Sequence, residues 1–331
     1  MKYITDKEVD RGQWKTLSDQ NQFTTPFQSP EFYDFFNSLP HSSAEVFAVA
    51  EKGEIHALCV VVCQKEAGIK GYFSRRAIVY GGPLLVRKDQ SDLEHLLEGI
   101  EKYFRHKAIY TEFRLLHDYH LYSRVFQSRQ WEYLPYLNYR VDCSDRAEML
   151  KKLSNNRKRQ IKKALRSGVR VKPAETAEEV KLFYVILKEL YQKKIRKPLP
   201  PEEFFMEFFR RALGKIFLVT FDNRIIGGIV CPELKGRCIY EYYVCGLDDH
   251  YREQSPSVMA TWGAMEYAAE NHIPAFDFMG AGRKDRDYGV REFKSRFGGE
   301  RVEYGRYIKI NQPVLYQIGK AGLSFMKLLS R

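Results

Sequence analysis

Phe276-Asp277-Phe278-Met279-Gly280-Ala281-Gly282 is followed near the C-terminus by Phe293-Lys294-Ser295-Arg296-Phe297-Gly298-Gly299. The first stretch predicts a short buried strand running into a glycine-rich loop. The second predicts the end of an amphipathic helix closed by glycines. A strand end, a loop and a fixed lysine together can hold a reacting carbonyl while charge develops on its oxygen. The competing arrangement is a helix whose two phenylalanines fill the core and whose Lys294 points to water.

Two carboxylates sit close to this motif in the predicted elements. Asp277 lies on the strand entering the loop and Glu241 on the neighbouring strand, Tyr240 to Gly246. Either can accept a proton from an attacking amine, or can instead hold backbone N–H groups. Tyr242 and Tyr243 alternate across that strand, so one of them faces the site, and we assign Tyr243. Asp285, Asp287 and Arg291 line the loop, within reach of a substrate amine or phosphate. Neither a Ser-His-Asp nor a Cys-His constellation is evident. The six cysteines lie in apolar segments without metal-ligand spacing, as buried thiols of a reducing compartment do.

A repeat positions these residues. Val46 to Ile55 reads as a hairpin turning at Lys52-Gly53, and Ile216 to Ile225 repeats it 170 residues later with Asp222-Asn223 at the turn. A third strand follows each (Arg76 to Val86; Arg237 to Gly246), then a helix (Ser91 to His106; Pro256 to Asn271). Each half then adds a strand (Ala108 to Leu116; Ala275 to Met279) and closes with another (Trp131 to Val141; Arg301 to Ile310). This predicts an α/β protein of two tandem units with mixed sheets, residues 1–142 and 143–331. The second carries a helical preface over 143–213, split at Pro198-Leu199-Pro200-Pro201.

The preface opens with a basic helix, Ser144 to Ser167. Between Ser144 and Lys172 there are eleven Lys or Arg against two acids, within a chain of 331 residues and net charge +12. Arg157, Lys158, Arg159, Lys162, Lys163 and Arg166 recur at helical spacing opposite an apolar stripe of Leu150, Leu153, Ile161 and Leu165. Phosphates or an anionic membrane surface suit such a stripe, as does plain solvation. Arg196 and Lys197 are further phosphate candidates. The segment Pro313 to Arg331 predicts a last amphipathic helix, apolar at Val314, Leu315, Ile318, Phe325, Leu328 and Leu329 and basic at Lys320, Lys327 and Arg331. Packing on the second domain or lying on an anionic membrane surface are its two roles. Met1 to Trp14 lacks the apolar stretch of a secretory signal, and the longest apolar run, Ala57 to Cys63, falls far short of the ~20 residues that span a bilayer. A cytoplasmic protein is expected.

Strand–strand–helix–strand in tandem, with F-D-F-x-G and F-K-x-x-F-G-G in the second copy, resembles the Fem family within the Gcn5-related N-acyltransferase (GNAT) superfamily. Those are non-ribosomal aminoacyltransferases that extend peptidoglycan bridges from aminoacyl-tRNA. The resemblance implies transfer from aminoacyl-tRNA, as co-substrate and without a further cofactor, to an amine of a cell-envelope precursor, with lipid-linked acceptors included. It implies a monomer, in peripheral contact with the inner membrane face when the acceptor is a lipid. Lys294 would face the oxyanion or the terminal adenosine phosphate, and Phe293 would stack on a base of the unpaired end. Arg157, Arg159, Lys162 and Lys163 would track RNA phosphates, with Arg291, Arg196, Gly298 and Gly299 also on the substrate side. Acyl-CoA members of the superfamily need a glycine-rich turn before their main helix. Tyr251 to Ser257 contains no glycine, so Ser255 and Pro256 are left simply to start a helix. An acyl thioester donor, or a non-catalytic RNA- or membrane-binding role on the same scaffold, are the alternatives.

Overall fold

The computed structural model describes residues 2–66, 68, 70–87, 89–285 and 289–329. Asp287 and Arg331 lie outside the described residues, as do the side chains of Phe325, Lys327, Leu328 and Leu329. The chain divides into two compact units, Met1–Pro135 with Tyr304–Arg331, and Tyr136–Glu303.

In the first unit β1 (Lys2–Thr5), β2 (Ser42–Glu51), β3 (Glu54–Gln64), β4 (Arg76–Gly81), β5 (Leu84–Leu85), β6 (Tyr110–Leu115) and β7 (Glu132–Leu134) share one sheet. In the second, β8 (Asn138–Asp142), β9 (Arg170–Pro173), β10 (Gly214–Phe221) and β11 (Arg224–Leu234) share another sheet. The same sheet takes in β12 (Cys238–Tyr240), β13 (Tyr243–Gly246), β14 (Ala275–Asp277) and β15 (Glu300–Val302). The last strand, β16 (Arg306–Ile310), returns to the first sheet and lies between β6 and β7. Each sheet is mixed and contains a parallel pair, β4 with β6 and β12 with β14. Parallel neighbours need a crossover, supplied by the helices Gln90–Phe104 and Pro256–Glu270. The first helix is capped by Asp89 and buries Leu93, Leu96, Leu97, Ile100 and Phe104.

The repeat holds at the level of backbone detail. Lys52 and Gly53 have φ of 53° and 87°, and Asp222 and Asn223 have φ of 50° and 57°, as tight hairpin turns require. Both hairpins also slip register at matching places, between Val49 and Ala50 and between Val219 and Thr220. A bulge of this kind adds local twist.

The closing strands differ from expectation. Trp131 to Val141 is two strands, of which β7 pairs with β16 in the first unit while β8 pairs with β14 and β15 in the second. Arg301 to Ile310 divides the same way into β15 and β16. The two units therefore exchange their last strands, and the division falls at Pro135 and again at Glu303, not at Asp142. The breaks have local causes. Pro135 has no N–H for a ladder, and Gly305 takes φ 71° beside the Tyr133 ring.

Two helices also differ. The basic segment is not one helix but two, Arg146–Lys152 and Asn155–Arg166, because Ser154 turns extended and accepts the Arg157 N–H as a fresh N-cap. The terminal helix Pro313–Leu329 belongs to the first unit, not the second, with Tyr316 edge-on to Tyr110 at 5.8 Å. Among the described residues no helix is long and apolar enough to cross a membrane.

Candidate active site

The site grows from a fork in the second sheet. β12 and β14 run parallel as far as the pairs Ile239 with Phe276 and Tyr240 with Asp277. Beyond that point Glu241 N donates to Asp277 O at 2.8 Å and Tyr242 N turns to Val230 O. The chain after Asp277 follows β8 instead, with Phe278 N donating to Tyr139 O at 3.1 Å. Two parallel strands thus separate, and backbone carbonyls on the Phe278–Gly280 side are left without ladder partners.

Lys294 spans the fork. It sits in the helix Gly289–Ser295, is 8% exposed, and its Nζ donates to Phe278 O at 2.7 Å and to Gly280 O at 2.9 Å. The same Nζ lies 3.0 Å from Glu241 Oε1. An ammonium has three hydrogens, and three oxygens take them. The lysine does not point to water, yet it is committed to the protein: its observed work is to hold the glycine loop against the Glu241 strand. Glu241, 5% exposed, accepts from Thr261 Oγ1 at 3.1 Å with its other oxygen.

Asp277 and Asn138 build the other side of the loop. Asp277 Oδ1 accepts from Asn138 Nδ2 at 2.8 Å and from Met279 N at 2.7 Å, while Arg140 Nε is 3.6 Å from its Oδ2. Asn138 Oδ1 in turn accepts from Gly280 N at 2.7 Å. These bonds hold Met279 and Gly280 at φ 54° and 125°, where a glycine is favoured. Burial raises the Asp277 carboxyl above its ordinary range, against the pull of Asn138, the Met279 N–H, Arg140 and Lys294. Arg291 lies one turn before Lys294, its Nε donating to Ala281 O at 3.2 Å and its Nη2 to Arg283 O. Two cations on one helix face therefore bond to carbonyls from Phe278 to Arg283.

Arg157 departs from the expectation of a phosphate ligand. It is 4% exposed, and its guanidinium lies 4.4 Å and 4.7 Å from the Phe293 and Phe297 ring centroids. It donates to Phe293 O at 3.1 Å and Gln160 Oε1 at 2.6 Å. Burial, then Arg296, pulls its pKa down to about 10, with Asp248 opposing. Phe293, half-buried, packs against Arg157 and against Phe297 at 5.3 Å. Arg159, Lys162 and Arg166 do present exposed side chains, and Lys163 shares an exposed pair with Glu253 at 2.8 Å. Leu165 falls off the apolar stripe, 53% exposed.

Gly298 and Gly299 serve close approach. A Cβ on Gly298 (φ 79°) would meet Lys152 O at 2.4 Å, and one on Gly299 would meet Arg140 O at 2.8 Å. Tyr243 does not share Glu241's surroundings, because the strand break at 241–242 upsets strict alternation. Both Tyr242 and Tyr243 rings approach Phe204, at 5.8 and 5.9 Å, and Tyr243 also meets Phe205 and Tyr191. Arg196 is exposed in a left-handed conformation (φ 52°) after the π-turn Tyr191–Ile195.

Residues missed from sequence complete the picture. Thr261, Asn138 and Arg140 were not singled out, nor was Asp248. The last lies at the start of the helix Pro256–Glu270, where its carboxylate accepts from Ser257 N at 3.2 Å and from Ser257 Oγ. Ser255 holds the N-cap position at φ 46° without capping the helix through its side chain. The helix N-terminus already has its own anion. Among the described residues no group of three or more His, Cys, Asp or Glu could hold a metal ion.

Residues 151–295 match the family described as an acetyltransferase (GNAT) domain. No curated protein matches in sequence. The crystal structure of FemX is similar with a TM-score of 0.73 at 14% identity, over 96% of this chain and 99% of that one. A tandem GNAT protein from the clavulanic acid biosynthesis pathway gives 0.60 at 10% identity over 94% and 98%. L-PGS from Bacillus licheniformis gives 0.58 at 12% identity over 94% and 96%. The chain has the fold of tandem GNAT proteins, and residues 151–295 are its acetyltransferase-type (GNAT) domain.

Proposed function

We propose that the protein transfers an aminoacyl group from aminoacyl-tRNA to an amine of a cell-envelope precursor. The observation that carries the reading is Asp248. An acyl-CoA donor would bring its pyrophosphate to the N-terminus of the helix Pro256–Glu270. A carboxylate bonded to Ser257 stands there and repels a second anion. An ester on tRNA needs no such cradle. The exposed Arg159, Lys162 and Arg166 offer salt-sensitive phosphate contacts, on a helix that Arg157 joins directly to the one bearing Lys294.

In the reaction the amine nitrogen attacks the ester carbonyl, a C–N bond forms and the C–O bond to the ribose breaks. The attacking amine sheds a proton and the departing ribose oxygen gains one. In this proposal Glu241 or Asp277 takes the amine proton: Glu241 is held through both oxygens by Lys294 and Thr261, and Asp277 through Oδ1 by Asn138 and the Met279 N–H. Lys294 acts chiefly by fixing the loop that receives the carbonyl, a positioning contribution.

The match to an acetyltransferase domain favours a thioester donor as the second reading. Single-turnover transfer from labelled aminoacyl-tRNA pools to amine-bearing cell-wall precursors, with acetyl-CoA in parallel, separates the two. Amide formation from tRNA but not from acetyl-CoA is expected. Product from acetyl-CoA alone would overturn the tRNA assignment.

A further inference from the structure

We propose that the first unit carries a docking surface for an anionic phospholipid bilayer, formed jointly by the short helix Lys70–Ser74 and the terminal helix Pro313–Leu329. Tyr72 and Phe73 are 56% and 43% exposed, and Val314 and Ile318 are 73% and 50% exposed. The two helices touch: a Cβ on Gly319 would lie 3.6 Å from Phe73 O. Large apolar side chains from two separate parts of the sequence therefore crowd one region of the surface instead of scattering singly.

The two segments that carry these side chains contribute charges of one sign, although Glu66 borders the short helix. Residues 67–76 contain Lys70, Arg75 and Arg76 and no acid, and residues 313–331 contain Lys320, Lys327 and Arg331 and no acid. Arg75 lies 4.8 Å from the Tyr72 ring centroid and Lys320 lies 5.5 Å from that of Tyr316. Aromatic rings beside cations, on a helix lacking carboxylates, suit the boundary between headgroups and acyl chains. A second copy of the chain would bring the same positive charges face to face, so the complementary partner is a negatively charged lipid surface. The surface would bring the protein to lipid-linked acceptors, but binding to it does not depend on which donor the active site uses.

The test is co-sedimentation of the full chain with phosphatidylcholine vesicles, with and without phosphatidylglycerol. Pelleting only with phosphatidylglycerol, weakened by added salt, is expected. Lys320→Ala should lower the partition coefficient roughly five-fold, and Tyr72→Ser with Phe73→Ser roughly ten-fold or more. Both sites are exposed, so circular dichroism should be unchanged. Should the aromatic variant fail to fold, Val314→Ser with Ile318→Ser reads the same surface. Equal pelleting on both vesicles, none on either, or wild-type affinity in the folded variants would overturn the proposal. So would a wild-type dimer that these substitutions dissolve, which would make the surface a self-association face. Loss of transfer with vesicle binding intact would count against the catalytic reading alone.

Discussion

Lys294 Nζ and Glu241 Oε1 lie 3.0 Å apart with 10% and 3% of their side chains exposed. Removing one partner of so buried a pair leaves an uncompensated charge and costs about 3–5 kcal/mol. Lys294→Met should lower the urea midpoint accordingly. Lys294→Met with Glu241→Gln should cost less than the sum of the single changes. Transfer should drop roughly a hundred-fold in either single variant, because the loop is no longer fixed. An additive double variant would separate the two residues.

Arg157 ties the basic helix to the one bearing Lys294 through two rings and one carbonyl. Arg157→Ala should destabilise by about 2–4 kcal/mol, from a lost desolvated cation–π contact and an unpaired Phe293 O. Arg157→Lys should recover part of this, since an ammonium cannot spread across both rings. Arg159→Ala with Lys162→Ala, by contrast, should leave the urea midpoint unchanged and flatten the salt dependence of tRNA binding. If all of these variants lose tRNA affinity alike, the division between anchor and RNA contact is wrong.

Glu112 makes the first unit sensitive to acid. Burial alone would raise its carboxyl, but Arg114 and Arg306 outweigh it and hold the pKa at about 2, below the ordinary 4.5. A depressed carboxyl stabilises above its unfolded pKa and loses that contribution as pH falls. Roughly 3 kcal/mol should therefore disappear between about pH 4.5 and 2. Asp277, raised by burial, works in the opposite sense and gains as it protonates. Urea midpoints against pH should show a steep acid limb that flattens in Glu112→Gln. An unaltered limb would remove Glu112 from the acid response.

The repeat was legible because hairpin turns and strand periods are local, and the matching bulges show how deep the duplication runs. The strand exchange was not, since the period-2 pattern runs straight through Trp131 to Val141. Pro135 was the one visible mark against a single strand. Lys294, Asp277 and Glu241 do come together, as their placement on adjoining elements suggested, though in a saturated network. Arg157 was grouped with the exposed cations because Lys158 and Arg159 follow it directly. Yet Leu153, Arg157 and Ile161 follow four-residue steps, which put Arg157 on the buried stripe. Asn138 and Asp248 gave no sequence signal, as their partners lie 139 and 9 residues away.

The trade of β8 for β16 bears on how such a gene can change. After an ordinary duplication one copy is free to decay once the other does the work. Here β8 is encoded beside the first copy yet stands between β14 and β15, and β16 is encoded beside the second yet stands between β6 and β7. Deleting either copy would tear a central strand from its sibling. Each sheet thus depends on a strand encoded beside the other unit, whether or not the first unit ever touches a substrate.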